Sequence, residues 1–533
     1  MHSEEASDAS AGTTAADLAR ARRHGVADLL HRTARRYPGK LAVIDGARRF
    51  TYAEFDAAVD RAAHALDDRG IEKGDRLALL SHNRWEFAVL TFATARLGVV
   101  LVPINFMLTS REVAYILTDS QASGLLAEDA LVPTAAEAIT RAGLSIALRG
   151  QLGGEPAAGW SDASRWCLSG STTPIDVPIA DDDPIRLMYT SGTESSPKGV
   201  IHTSRSLISQ YVSCAVDGEM SVDDVEVHAL PMYHCAQLDC FFAVDVYLGA
   251  TSVILPNPDP EVLLASIESH RITKLFAPPT VWISLLRSAA FDTTDLSSLR
   301  KGYYGASPMP VEVLQEMRRR LPGVRLWNFY GQTELAPMAT ILRPEEQIDH
   351  AGSAGRPAIN VETAVVDDDG NPVPAGVVGE IVHRSPHVAA GYHNDAPKTA
   401  EAFRRGWFHS GDLGVLSPDG YLSVVDRKKD MIKSGGENVA SREVEEALYG
   451  VDGVAEVAVF GIPHPHWIEA VTAVIVVRDG HEVTVDAVLD HAKTVLAPYK
   501  RPKYVVFVDA LPKNPSGKIV KRELRAQFGG LAQ

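Results

Sequence analysis

The segment Tyr189-Thr190-Ser191-Gly192-Thr193-Glu194-Ser195-Ser196-Pro197-Lys198-Gly199 carries the plainest chemistry in the chain. Its glycines let backbone N–H groups approach an anion. Ser and Thr hydroxyls add donors, and Lys198 adds a compact positive charge. These are the parts of a polyphosphate cradle, although an ordinary polar turn shares the composition. The spacing is not that of a Walker A loop, which needs G-x-x-x-x-G-K-[ST]. Pro197 stands where the second glycine would be, and Gly199 where the metal-binding hydroxyl would be. The segment contains no G-x-G-x-x-G dinucleotide pattern either.

Four further segments could do chemistry. Asn328-Phe329-Tyr330-Gly331-Gln332-Thr333-Glu334 ends an expected strand in small polar groups and a carboxylate. Trp407-Phe408-His409-Ser410-Gly411-Asp412-Leu413-Gly414 reads as a glycine-rich turn whose Asp412 could accept both hydroxyls of a ribose. Asp426-Arg427-Lys428-Lys429-Asp430 leads into Lys433-Ser434-Gly435-Gly436-Glu437-Asn438. Pro512-Lys513-Asn514-Pro515-Ser516-Gly517-Lys518 sets a lysine on a tight loop near the end.

In this order and spacing, the five segments resemble the adenylate-forming superfamily: acyl-CoA synthetases, adenylation domains of peptide synthetases and firefly-type luciferases. The resemblance runs from about residue 25 to residue 525. It implies two steps. A carboxylate attacks the α-phosphate of ATP and releases pyrophosphate, and a thiol, usually that of coenzyme A, then takes the acyl group. Several negative charges meet in the first step, so positioning and charge stabilisation dominate.

The resemblance also implies roles. Thr190, Ser191, Gly192, Thr193 and Lys198 hold the β- and γ-phosphates, and Thr190 with Glu334 supplies oxygen ligands for Mg²⁺. Tyr330, Gly331, Gln332 and Thr333 line the adenine and α-phosphate, with Gly305, Ala306 and Ser307 as a further wall. Asp412 and Arg427 contact the ribose. Lys518 bridges the attacking carboxylate and the α-phosphate. Lys429 is the hinge about which a small domain turns between two poses, and Lys433, Gly435 and Gly436 serve the thiolation pose. His234 gates an acyl pocket that also includes Tyr233, Gln237, Leu238 and Tyr303. The apolar surroundings of His234 favour a fatty or aryl acid over a charged amino acid.

Two stretches depart from the family pattern. Glu194-Ser195 stands where Thr-Gly or Ser-Gly is usual, which puts a carboxylate among phosphate ligands. His464-Pro465-His466 stands where an acidic residue often follows Pro463.

These residues need a scaffold, and 533 residues are too many for one core. Asp28 reads as the N-cap of a first helix, and Thr51 with Glu54 as the start of a second. Leu77–Ser81, Val99–Pro103, Ser252–Leu255 and Ile272–Phe276 read as strands, with a helix over Trp85–Leu97. This alternation indicates an α/β body with largely parallel sheets. From about Gly352, alternating segments separated by Asp-Gly and Gly-Asn turns indicate an antiparallel β subdomain.

A short α/β pattern follows Lys429. The resemblance therefore implies an α/β fold: a large domain of two α/β subdomains plus the β subdomain over 25–428, and a small mobile α+β domain over 429–533. Residues 1–24 read as disordered.

The net charge of −16 argues against nucleic acid as the main partner. From Arg427 onward, however, 15 Lys+Arg balance 14 Asp+Glu. The four cysteines fit a reducing, cytoplasmic setting rather than a disulfide framework. No signal-peptide or membrane-spanning pattern is visible. A homodimer is compatible with the sequence.

The expected activity is an ATP-dependent, AMP-forming carboxylic acid–CoA ligase using ATP, Mg²⁺ and coenzyme A. Two alternatives remain open. The adenylate could pass to a carrier-protein thiol, an amine or an unusual acceptor such as nitrite, or the chain could be an inactive ATP-binding homologue.

Overall fold

The computed structural model describes residues 17–18, 20–190, 197–305, 307, 309–435, 437–513 and 519–531. Among these residues the strands form four sheets. Eight strands make one sheet, whose central members Arg76–Leu80, Val100–Ile104, Gly124–Glu128 and Leu148–Leu152 run parallel. Nine strands make a second sheet with a parallel centre and antiparallel edges. Strands buried on both faces need near-continuous apolar runs, which Leu77–Leu80 and Val100–Ile104 supply. The helix Trp85–Leu97 is buried over its whole length between such layers, as expected of a helix that is apolar nearly all round.

The expected helix starts differ in detail. Thr51 caps the helix Tyr52–Asp67, with Glu54 closing a capping box. Asp28, in contrast, is not an N-cap. It lies in the first turn of the helix Val26–Arg36, where its Oδ2 accepts from the Gly25 N–H at 2.7 Å and its Oδ1 from Arg23 at 2.8 Å. It still satisfies the helix N-terminus, but from inside.

Residues 362–427 form the expected antiparallel sheet, with Glu362–Val366, Gly379–Arg384, Phe408–Leu416 and Leu422–Arg427 in order. Asp412 lies inside the third of these strands rather than in a turn, paired in register with Arg427. Gly411, at φ +70°, bends the strand next to it without ending it.

After Arg427 the chain turns through Lys428–Met431 and enters a separate sheet. That sheet is dominated by the long antiparallel pair Val454–His464 and Ile468–Val477, with Tyr504–Phe507 added in parallel. The helices Ser441–Tyr449 and Val485–Val495 pack on it, giving a smaller α+β domain.

Candidate active site

Tyr189–Thr190 and Lys198–Gly199 lie at the ends of two paired strands. Strand Pro184–Thr190 pairs antiparallel with Lys198–Thr203, and Thr190 faces Lys198 across the mouth. Ser191, Gly192, Thr193 and Glu194-Ser195-Ser196 lie outside the described residues, as do Ala306, Gly436 and Lys518.

Tyr392 closes one side of this mouth. It belongs to a two-residue strand, Gly391–Tyr392, that pairs with the lysine-bearing strand. The Lys198 Nζ lies 5.0 Å from the centre of its ring. Its hydroxyl donates to Glu334 Oε1 at 2.8 Å. Burial and the Glu334 charge both push the phenol pKa up, so it remains a donor. The Glu334 backbone carbonyl also accepts from Ala389 N at 2.8 Å. One short segment therefore fixes the expected metal-ligand carboxylate and flanks the expected phosphate lysine. Sequence reasoning missed Tyr392, because a two-residue strand leaves no periodic signal.

Strand Arg325–Gly331 delivers the next group. The Tyr330 hydroxyl donates to Asp412 Oδ2 at 2.7 Å, and Gln332 Nε2 donates to the same oxygen at 2.9 Å. Arg427 Nε stands 3.6 Å from the other oxygen, Oδ1. Burial, with Asp412 beside it, holds the Tyr330 pKa well above that of a free phenol. Asp412 is 6% exposed, so one carboxylate oxygen is committed to the protein and the other faces the Arg427 side.

A cavity of about 70 Å³ adjoins this group. Gly305, Phe329 and Tyr330 to Thr333 line one side, and His234, Cys235, Cys240, Phe241 and Phe276 the other. Its glycines are obligatory. A Cβ on Gly331 would lie 1.8 Å from the Pro337 carbonyl oxygen, and one on Gly305 would lie 2.3 Å from that of Phe329. His234 accepts the Ala236 N–H at Nδ1, 3.2 Å away. Ser307 is half-buried just beyond Gly305.

The other acyl-pocket expectations need correction. Leu238 and Tyr303 are fully buried in the core and do not line the cavity. The Tyr303 ring stacks on Trp327, and its hydroxyl donates to the Gly218 carbonyl. Gln237 is 1% exposed and bonds His228 Nδ1 at 2.7 Å. Tyr233 packs edge-on against Phe106 instead, with ring centres 5.5 Å apart. Tyr233, Gln237 and Leu238 flank His234 in sequence, but nearness along the chain does not tell a pocket wall from the core behind it.

Elsewhere, Lys429 lies in the exposed turn between sheets. Lys433 is exposed on the strand Ile432–Ser434, and the Gly435 N–H donates to the Trp467 carbonyl at 2.8 Å. The unusual His464 has a local role: its Nδ1 accepts the N–H groups of His466 and Trp467. It thus supplies the acceptor that an acidic side chain could offer the same turn.

Thr190 and Glu334 bring hydroxyl and carboxylate oxygens, a donor set that fits a hard divalent cation. A second group, Glu226, His228 and Asp245, is also cation-like in type. There, however, the Lys274 ammonium already stands 2.8 Å from Glu226 and bonds Asp245. A further cation would meet that charge at contact distance.

Residues 30–393 match the AMP-binding enzyme family, and residues 443–518 match the AMP-binding enzyme C-terminal domain. This chain belongs to the AMP-binding enzyme family. A feruloyl-CoA synthase of Amycolatopsis is 38% identical over 95% of this chain and 100% of its own. A long-chain-fatty-acid–CoA ligase of Mycobacterium tuberculosis is 36% identical over 90% of this chain and 93% of its own. The ATP-bound structure of MatB from Rhodopseudomonas palustris superposes with a TM-score of 0.87 at 30% identity, covering 95% of this chain and 100% of that one. Within the family the chain stands with the AMP-forming acid–thiol ligases. Among the described residues no helix is long and apolar enough to cross a membrane.

Proposed function

We propose that this enzyme adenylates a compact carboxylic acid, aryl rather than long-chain, and passes the acyl group to coenzyme A. The observation that carries the substrate reading is the cavity. Its lining is rich in aromatic side chains, with Phe241, Phe276 and Phe329 near His234. Phe241 and Phe276 stack along it with ring centres 4.3 Å apart. An aromatic acid finds matching ring surface on such a wall, which an alkyl chain does not use.

Roles follow from position. Lys198, with Thr190, Ser191, Gly192 and Thr193, takes the β- and γ-phosphates. Glu334, aimed by Tyr392, and Thr190 hold Mg²⁺, which when bound neutralises phosphate charge. Tyr330, held against Asp412, packs beside the adenine with Gly331, Gln332 and Thr333, and Gly305 and Ser307 close that wall. Oδ1 of Asp412 and the Arg427 guanidinium take the ribose hydroxyls. His234 stands between the acid and the adenylate site.

The same proposal assigns Lys518 to the attacking carboxylate and the α-phosphate. It places a hinge at Lys429, assigns Lys433, Gly435 and Gly436 to the thiolation pose, and places the enzyme in the cytoplasm. The exposed turn between two sheets supports the hinge. Pyrophosphate release measured over a panel of aryl and alkyl acids, with products analysed with and without coenzyme A, tests the reading. Aryl acids should turn over and yield a thioester. A preference for long alkyl acids refutes the substrate class, and adenylate formation with no thioester refutes the acceptor.

A further inference from the structure

The residues Ala236–Phe242, beginning two positions after His234, form a π-helix. Such widened turns are rare and occur mostly at functional sites. Here two of its side chains, Gln237 and Asp239, enter separate buried polar networks, one on each large sheet.

Asp239 is fully buried. Its carboxylate pairs with the guanidinium of Arg186, itself 1% exposed, and its Oδ1 accepts the Tyr211 hydroxyl at 2.9 Å. Arg186 lies on the strand that runs to Thr190 and the phosphate hairpin. Gln210, beside Tyr211 on the helix Ser204–Asp217, is best oriented with its NH₂ donating to the carbonyls of Asp239 at 3.2 Å and Ala336 at 3.1 Å. Ala336 closes the short turn Thr333–Leu335 that carries Glu334.

Gln237 faces the other sheet. Its amide donates to His228 Nδ1, which leaves the His228 proton on Nε2, 3.3 Å from Asp245 Oδ2. Asp245 in turn pairs with Lys274. Ala236, Cys240 and Phe241, on the same π-helix, line the cavity.

We infer that Asp239 and Gln237 are positioning residues for the carboxylic acid, pinning the π-helix so that Cys240 and Phe241 hold the acid in line with the phosphate hairpin. A fully buried ion pair gives little net stability over an apolar pair of similar volume. What Arg186–Asp239 supplies is register for the acid wall: it ties the π-helix to the phosphate strand, which its own backbone ladder already holds in place. The inference rests on the cavity being the acid site, as proposed above.

Two variants test it by pyrophosphate release, with acid and ATP varied separately and the thermal midpoint recorded. Asp239→Asn keeps the shape and removes the charge. The double variant Arg186→Met/Asp239→Leu removes both charges and leaves none unpaired, so it serves even if the single variant fails to fold. Both should raise the acid KM on the order of tenfold while the ATP KM stays within about twofold. Acid and ATP KM rising together, or a lower thermal midpoint with both unchanged, overturns the positioning role. If the unaltered enzyme releases no pyrophosphate with any acid, the reading of the cavity falls, and this inference with it.

Discussion

Replacing Asp412 by Asn should weaken ATP without disturbing the fold. Oδ2 of Asp412 accepts from Tyr330 and Gln332 at 2.7 and 2.9 Å, so the amide oxygen of Asn can take over both bonds. The NH₂ then replaces Oδ1, which faces Arg427 Nε at 3.6 Å and is the oxygen left for a ribose. The variant thus offers a donor where the proposal needs a charged acceptor. A hydrogen bond to a charged group contributes about 1.5–3 kcal/mol. At about 1.4 kcal/mol per factor of ten, losing one predicts an ATP KM roughly 10- to 100-fold higher. Steady-state pyrophosphate release at saturating acid measures this, and the acid KM should change less than about threefold. An ATP KM within about twofold of the unaltered enzyme, in a folded variant, refutes the ribose assignment.

Other perturbations have distinct expected outcomes. Tyr392→Phe removes the hydroxyl that bonds Glu334. It should lower kcat/KM for ATP by about five- to tenfold and raise the Mg²⁺ concentration needed for half-maximal rate, as read in a Mg²⁺ titration. Chelation of divalent cations by EDTA should abolish acid-dependent pyrophosphate release, and added Mg²⁺ should restore it. Lys274→Met leaves Asp245 buried without its cation and should destabilise the fold by about 3–5 kcal/mol in a denaturant titration.

Burial pushes the pKa values of His202 and His383 down to about 3 and that of His387 to about 4. The unfolded chain therefore binds more protons than the folded one below about pH 6.5. Stability should be full above that pH and fall as the pH drops towards 4, seen as an earlier denaturation midpoint at pH 5 than at pH 8.

The long periodic elements were legible in the sequence. The helix Trp85–Leu97 and the strand pairs after Gly352 lie where the pattern placed them, because each fills one layer with an unbroken run of suitable side chains. Motif order singled out Gly305, Tyr330, Gly331, Gln332 and Thr333, and the structure gathers them around one cavity. The opposite wall of that cavity was not legible. A π-helix shifts the phase of every side chain it contains, so Gln237 and Leu238 point into the core while Cys240 and Phe241 reach the cavity. Asp412 misled in another way: Gly411 and Gly414 look like a turn, yet one bends a strand and the other packs against Ile381 within it. Tyr392 left no local trace, since its place depends on a strand nearly two hundred residues earlier.

The central claim is acid activation through the α-phosphate of ATP. Isotope exchange between pyrophosphate and ATP, run without coenzyme A, tests it most directly. Exchange should depend on an aryl carboxylic acid and on Mg²⁺. No exchange with any acid, or nucleotide turnover to ADP and phosphate, would contradict it.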